Sequence, residues 1–159
     1  MQQNWLTYLT GFSAIYCWLV AGVFLAFSDF VMRSLGAIPP AQGIVAMQSI
    51  NILVFRSIFA VGLIGLSLLS VLFLTLDLFH GQLTARSIAA IIYLGGVALV
   101  TGTGNIPLND ELAALDPSLI SAHNFWDKYQ KVWVNWNHVR TVSSTLAAAL
   151  LTFATFHTT

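Results

Sequence analysis

Charge is scarce in this chain. Only 8% of its 159 residues are Asp, Glu, Lys or Arg, six acidic and six basic, and the formal net charge is zero. Soluble domains carry roughly a quarter charged residues, so this chain has too few to cover a water-facing surface. There is no basic run, and nucleic acid is not an expected partner. Cysteine is almost absent: Cys17 stands alone inside an apolar run, which excludes an intramolecular disulfide. Metal-ligand spacing is missing as well, with no HxxxH or ExxH pair. His123 and His138 are about 22 Å apart on a continuous helix, too far to share one ion. Only Asp110, Glu111 and His138 would remain to converge on a metal, and none is expected. No Gly-rich phosphate loop follows a strand, and no Ser-His-Asp arrangement stands out.

Hydrocarbon is abundant. Hydrophobic residues make up 57% of the chain and the mean hydropathy is +0.80. Four apolar runs reach the length of about 20 residues that a bilayer-spanning helix needs, at 6–28, 52–76, 87–104 and 138–157. The expectation is one domain, an all-α integral membrane four-helix bundle. The first run lacks a basic leader and exceeds a typical signal-peptide core, so it is read as a span.

Four crossings put both termini on one side, together with the short turn LDLFHGQLTARS. The opposite side receives nearly all the polar residues, including five of the six Lys/Arg and five of the six Asp/Glu. There Asp116 and Pro117 form a helix-initiating pair. Trp126, Tyr129, Trp133, Trp136 and Arg140 then recur at steps of three or four and share one helical face. A single helix from Pro117 to Phe156 is about 60 Å long, twice the hydrocarbon thickness. It must project or bend, and residues 39–49 have the apolar spacing to lie beside it. A small helical cap is expected on the side opposite the termini.

Ionisable groups at membrane depth cost roughly 2.5–3.5 kcal/mol each on insertion scales, so they usually face the interior and pair. Asp29 and Arg33 form an i,i+4 pair that can satisfy itself. Taken singly, Arg33, Lys128 and Lys131 read as snorkelling residues and the tryptophans as an aromatic belt. Arg56 and Arg140 are harder to read that way, because each is followed directly by an apolar span. In GNIPLND, Pro107 is expected to end the third helix, and Gly102 and Gly104 to admit a neighbouring backbone. The amides of Asn105 and Asn109 then need partners, for which Arg140 is a candidate. A polar helix end sealing itself is the plainer reading. Gly62, Gly65, Gly95 and Gly96 read as helix-packing contacts.

The pairing of Asn105-x-Pro107-Leu108-Asn109 with Trp133-x-x-Trp136-Asn137-x-x-Arg140 resembles the anthrone-oxygenase-like family of small four-span membrane proteins. The resemblance implies O2-dependent conversion of an anthrone to an anthraquinone without an evident cofactor. Its implied partners are a lipophilic aromatic molecule, O2 and the lipid bilayer. Under this reading Asp110 or His138 is the base, with Arg140, Asn109 and Asn137 around the oxyanion. Trp126, Trp133 and Trp136 stack on the substrate, and Asn105 and Arg56 complete the substrate-binding set. The alternative is a non-enzymatic membrane subunit with a structural clasp, or a protein binding a small molecule, haem or copper. Homo-oligomers are compatible with either. A cell (inner) membrane is expected, and the Lys/Arg excess argues that the polar side faces the cytoplasm.

Overall fold

The computed structural model describes residues 2–157, with side chains from residue 5 onward. Four of its helical stretches are long and apolar enough to cross a membrane. The first consists of α1 (Gln2–Ala26), a π-helical turn at Phe27–Val31, and α2 (Met32–Gly36). The second is α4 (Ile58–Phe79), preceded by α3 (Pro40–Leu53) and a 3₁₀ turn, Val54–Arg56. The third joins α5 (Ala85–Tyr93), π-helical turns at Leu94–Leu99 and Thr101–Asn105, and α6 (Ile106–Ala113). The fourth is α7 (Ile120–Phe156), 37 residues and about 55 Å long.

Antiparallel α1 and α7 form the axis of the bundle. Trp18 Nε1 donates to Thr152 Oγ1 at 3.2 Å, Cys17 Sγ to the Ser144 carbonyl at 3.3 Å, and Asn137 Nδ2 to the Phe24 carbonyl at 2.7 Å. Small residues of α7, Ala147 and Ala148, let Cys17, Val20 and Tyr93 close into one apolar core. The outward surface is also apolar: Phe12, Ile15, Ile58, Val61 and Leu68 are all exposed, as lipid contact requires. Gly62 faces Tyr16, whose hydroxyl donates to the Ile58 carbonyl at 2.6 Å; a Cβ at position 62 would stand 1.6 Å from that ring. Gly62→Ala is therefore expected to displace Tyr16 and cost about 1–3 kcal/mol, read as a lowered unfolding temperature in detergent.

The expected cap is present as a second core. Met32, Ile44, Met47, Leu112, Ala122, Trp126, Tyr129 and Trp133 pack together where α2, α3, α6 and the first half of α7 meet. This cap packs along the first half of α7, which is helical without a break from Ile120 to Phe156.

Several boundaries depart from expectation. Pro107 does not end the third helix. It sits in the first turn of α6, where its missing N–H is tolerated, just after a widened π turn. The second span begins at Ile58 rather than near residue 52. The chain breaks at Ser57 (φ −98°, ψ 156°), whose Oγ accepts from Ala60 N and donates to the Val54 carbonyl. Residues 52–56 thus belong to the cap. The last helix starts at Ile120, not Pro117, because Asp116 Oδ1 is taken up by the Ser118 amide and hydroxyl in a local turn. Those two donors, the amide above all, hold the exposed Asp116 carboxyl below the usual carboxylate range. Asp29 and Arg33 do pair, at 3.2 Å on the exposed surface.

Candidate functional site

The two polar motifs meet, and Trp133 joins them. Its carbonyl accepts from Asn105 Nδ2 at 3.2 Å, and its indole Nε1 donates to Asn109 Oδ1 at 2.9 Å. Both asparagines of the first motif thus hold one tryptophan of the second. Gly104 leaves room for Trp136: a Cβ there would stand 2.8 Å from the indole. Tyr129 adds a second donor to Asn109 Oδ1, also at 2.9 Å, and itself accepts from Asn51 Nδ2 at 3.5 Å. Two donors converging on Oδ1 fix which way the Asn109 amide faces. Its Nδ2 has no partner among the described residues and is not buried, so it remains a free donor.

Arg140 occupies a separate layer beneath. It is 6% exposed, and Nη2 donates to Asn137 Oδ1 at 2.7 Å. Asn137 passes that contact on to the first span through the Phe24 carbonyl of α1 and Ser28 Oγ of the π turn that follows. The guanidinium carbon lies 4.4 Å from the Phe24 ring centre and 5.0 Å from that of Trp133. Ion pairs among the described residues are Asp29–Arg33 and Asp77–Arg86, so no carboxylate offsets Arg140. Aromatic faces, the Asn137 amide oxygen and, at 3.5 Å, the Thr101 hydroxyl stabilise this charge instead. Its Nε, like Asn105 Oδ1, is buried without a protein partner.

Asn109 and Arg140 consequently do not line one cavity, because Trp133 stands between them. Asn109 lines a cavity of about 320 Å³ between α3, the 3₁₀ turn and α6, together with Asn51, Arg56, Ile106 and Asp110. Arg56 and Asp110 are exposed there, and neither has an ion-pair partner among the described residues. Ile52 and Phe55, both exposed, border the same cavity.

Of the expected site residues, Asn109, Asp110 and Arg56 come together here. Asn105, Asn137, Arg140 and Trp133 form the packed layer behind. Trp126 is in the cap core, stacked on Tyr129 at 5.5 Å, with no face left for a ligand. Trp136 is 41% exposed beside Gly104, and His138 points outward from α7, away from the pocket lining.

Gln48, Asn51 and Tyr129 carry roles that were not assigned from sequence. Gln48 Nε2 bonds the Leu112 and Leu115 carbonyls at 2.9 and 3.1 Å, tying α3 to the end of α6 across the pocket wall. The spacing of Gln48 and Asn51, i and i+3 in an otherwise apolar segment, was the available signal. Gln48→Ala leaves both carbonyls without this donor and is expected to cost about 1–3 kcal/mol, read as a lowered unfolding temperature in detergent.

The family model described as anthrone oxygenase matches residues 53–150. The chain belongs to the anthrone oxygenase family. The matched segment contains both polar motifs, Arg56 and Asp110, and leaves out α1, Gln48 and Asn51. No curated protein and no solved structure matches the chain.

Proposed function

We propose that this integral membrane protein oxidises a lipophilic phenolic ring of the anthrone or hydroquinone type with O2, without a cofactor, in the pocket between α3 and α6. The observation that carries this reading is one cavity lined by a carboxylate, a guanidinium and an oriented amide donor: Asp110, Arg56 and Asn109. At about 320 Å³ it lies near the lower end of the roughly 300–1,000 Å³ usual for small-molecule sites.

The chemistry follows from the groups present. Asp110 takes the acidic C–H proton of an anthrone, leaving a delocalised enolate. Arg56 and Asn109 Nδ2 stabilise its oxygen. The enolate passes one electron to O2, and the resulting radical and superoxide combine at carbon. Protonation gives a hydroperoxide, which loses water to leave the quinone carbonyl. One anthrone and one O2 thus give one anthraquinone and one water. Arg140, Trp133 and Asn105 form the support that keeps Asn109 Oδ1 occupied and its donor turned to the pocket. We further propose that the membrane is the cell (inner) membrane and, from its Lys/Arg excess, that the polar side faces the cytoplasm.

A second reading has its own observation. Trp133, held at both ends by the asparagines of the other motif, is a structural clasp that a non-enzymatic subunit would also need. Oxygen-electrode measurements on the purified protein in nanodiscs, with a panel of anthrones and hydroquinones, separate the two. The oxidation reading expects one O2 consumed per quinone formed, and Arg56→Ala to lower the rate by about 10²–10³-fold. No uptake above empty nanodiscs across the panel favours the clasp.

A further inference from the structure

The end of the bundle that holds the termini is poor in polar residues, yet it contains an enclosed ion pair. Asp77, 2% exposed, receives Arg86 Nη2 on one carboxylate oxygen and Thr84 Oγ1, at 2.5 Å, on the other. The Arg86 guanidinium lies 5.5 Å from the Phe73 ring centre. Buried pairs of this kind are poor stability devices, since apolar replacements of similar volume often do as well. Inside a membrane bundle they more often mark a functional path. Beside the pair is a cavity of about 300 Å³, lined among others by Leu6, His80, Gln82, Phe153 and His157.

The groups around this cavity define a ligand. With both oxygens engaged, Asp77 holds Arg86 in place and is not free to act as a base. Arg86 is underused: its one hydrogen bond is to Asp77, and its Nε is buried without a partner. His157 Nδ1 lies 3.0 Å from the Phe153 carbonyl, which can only accept, so that nitrogen carries the proton. In the neutral ring Nε2 is then an acceptor. The same imidazole stacks on Phe153, with ring centres 4.1 Å apart and planes 14° from parallel. The side chains of His80 and Gln82 have no partner among the described residues.

Charge narrows the choice further. Among the described residues Asp77 cancels Arg86 and no lysine lies at this end, so an anion meets no excess positive charge from their side chains while the histidines are neutral. We infer that this cavity is a second binding site, for a neutral phenol or hydroquinone ring. The ligand's oxygen accepts from Gln82 and Arg86, its hydroxyl donates to His157 Nε2, and its flat body lies along Phe153 and Leu6. The site is at the opposite membrane surface from the oxidation pocket, and binding there does not require oxidation to occur.

The test titrates 2-naphthol, a flat phenol, into the full chain in nanodiscs by calorimetry, with empty nanodiscs subtracted. An Arg56→Ala background weakens the first pocket. One saturable site is expected to remain, and naphthalene, which lacks the hydroxyl, to bind at least about tenfold more weakly. His157→Phe keeps the stacking surface and removes the acceptor; it and Gln82→Ala are each expected to weaken binding about fivefold, the loss of one hydrogen bond. Neither substitution should alter O2 uptake at the other pocket, so failure of one proposal is distinguishable from failure of the other. The inference is overturned if no saturable site remains, if both variants bind unchanged, or if naphthalene binds equally well. Displacement by inorganic phosphate or anionic lipid would likewise overturn it, as that would mark an anion site.

Discussion

Asp110→Asn is expected to lower anthrone-dependent O2 consumption by roughly 10²–10⁴-fold, the range for removing a positioned general base. The amide has the carboxylate's shape and cannot take the proton. Asp110 is exposed to the pocket and has no ion-pair partner among the described residues, so its removal should leave the unfolding temperature unchanged. The loss should fall on kcat with KM nearly constant, as for an interaction made in the transition state. A parallel substitution, His138→Gln, should leave turnover unaltered, because His138 lies outside the pocket lining. The reverse result, activity lost in His138→Gln and kept in Asp110→Asn, would move the base to α7.

Trp133→Ala is expected to give a large loss of stability. The side chain is 5% exposed, and deleting a buried aromatic of this size costs about 3–5 kcal/mol. The loss is compounded because Asn109 Oδ1 keeps only Tyr129, and Arg140 loses one of its two aromatic faces. For a chain of this size the unfolding temperature should fall by roughly 6–20 °C. Trp133→Phe retains a ring against Arg140 and removes only the Nε1 donor, so about 1 kcal/mol is expected. Thermal unfolding of both variants in detergent separates the packing from the hydrogen bond. Equal losses in the two would mean that the indole N–H, not the ring, holds the layer together.

The bundle was legible in sequence because bilayer length and apolarity nearly determine it. The cap was legible because the aromatic positions of α7 keep helical spacing beyond the membrane. The meeting of the two asparagine and tryptophan motifs was also legible as an expectation, although its geometry was not. Sequence suggested Arg140 for the asparagines, whereas the indole of Trp133 takes Asn109 and the guanidinium goes to Asn137 and two aromatic faces. Which of several donors wins depends on side-chain reach across helices, and spacing along one helix does not encode that. Pro107 misled for a related reason: its cost depends on the hydrogen-bond pattern of the preceding turn, and a π turn relieves it. At the terminal end, Asp77 and Arg86 lie nine residues apart across a turn, outside any i,i+4 rule. Only the fold around Gly81, at φ +66°, and the Thr84 cap brings them together.

The most direct test is the position of a substrate held without oxidant. The protein in nanodiscs, saturated anaerobically with 1,8-dihydroxyanthrone, should show the three-ring density between α3 and α6. One ring oxygen should be within hydrogen-bond distance of Arg56 and Asn109, with the reactive carbon facing Asp110. Density for the ring elsewhere, with this pocket empty at saturation, would contradict the assignment of the site.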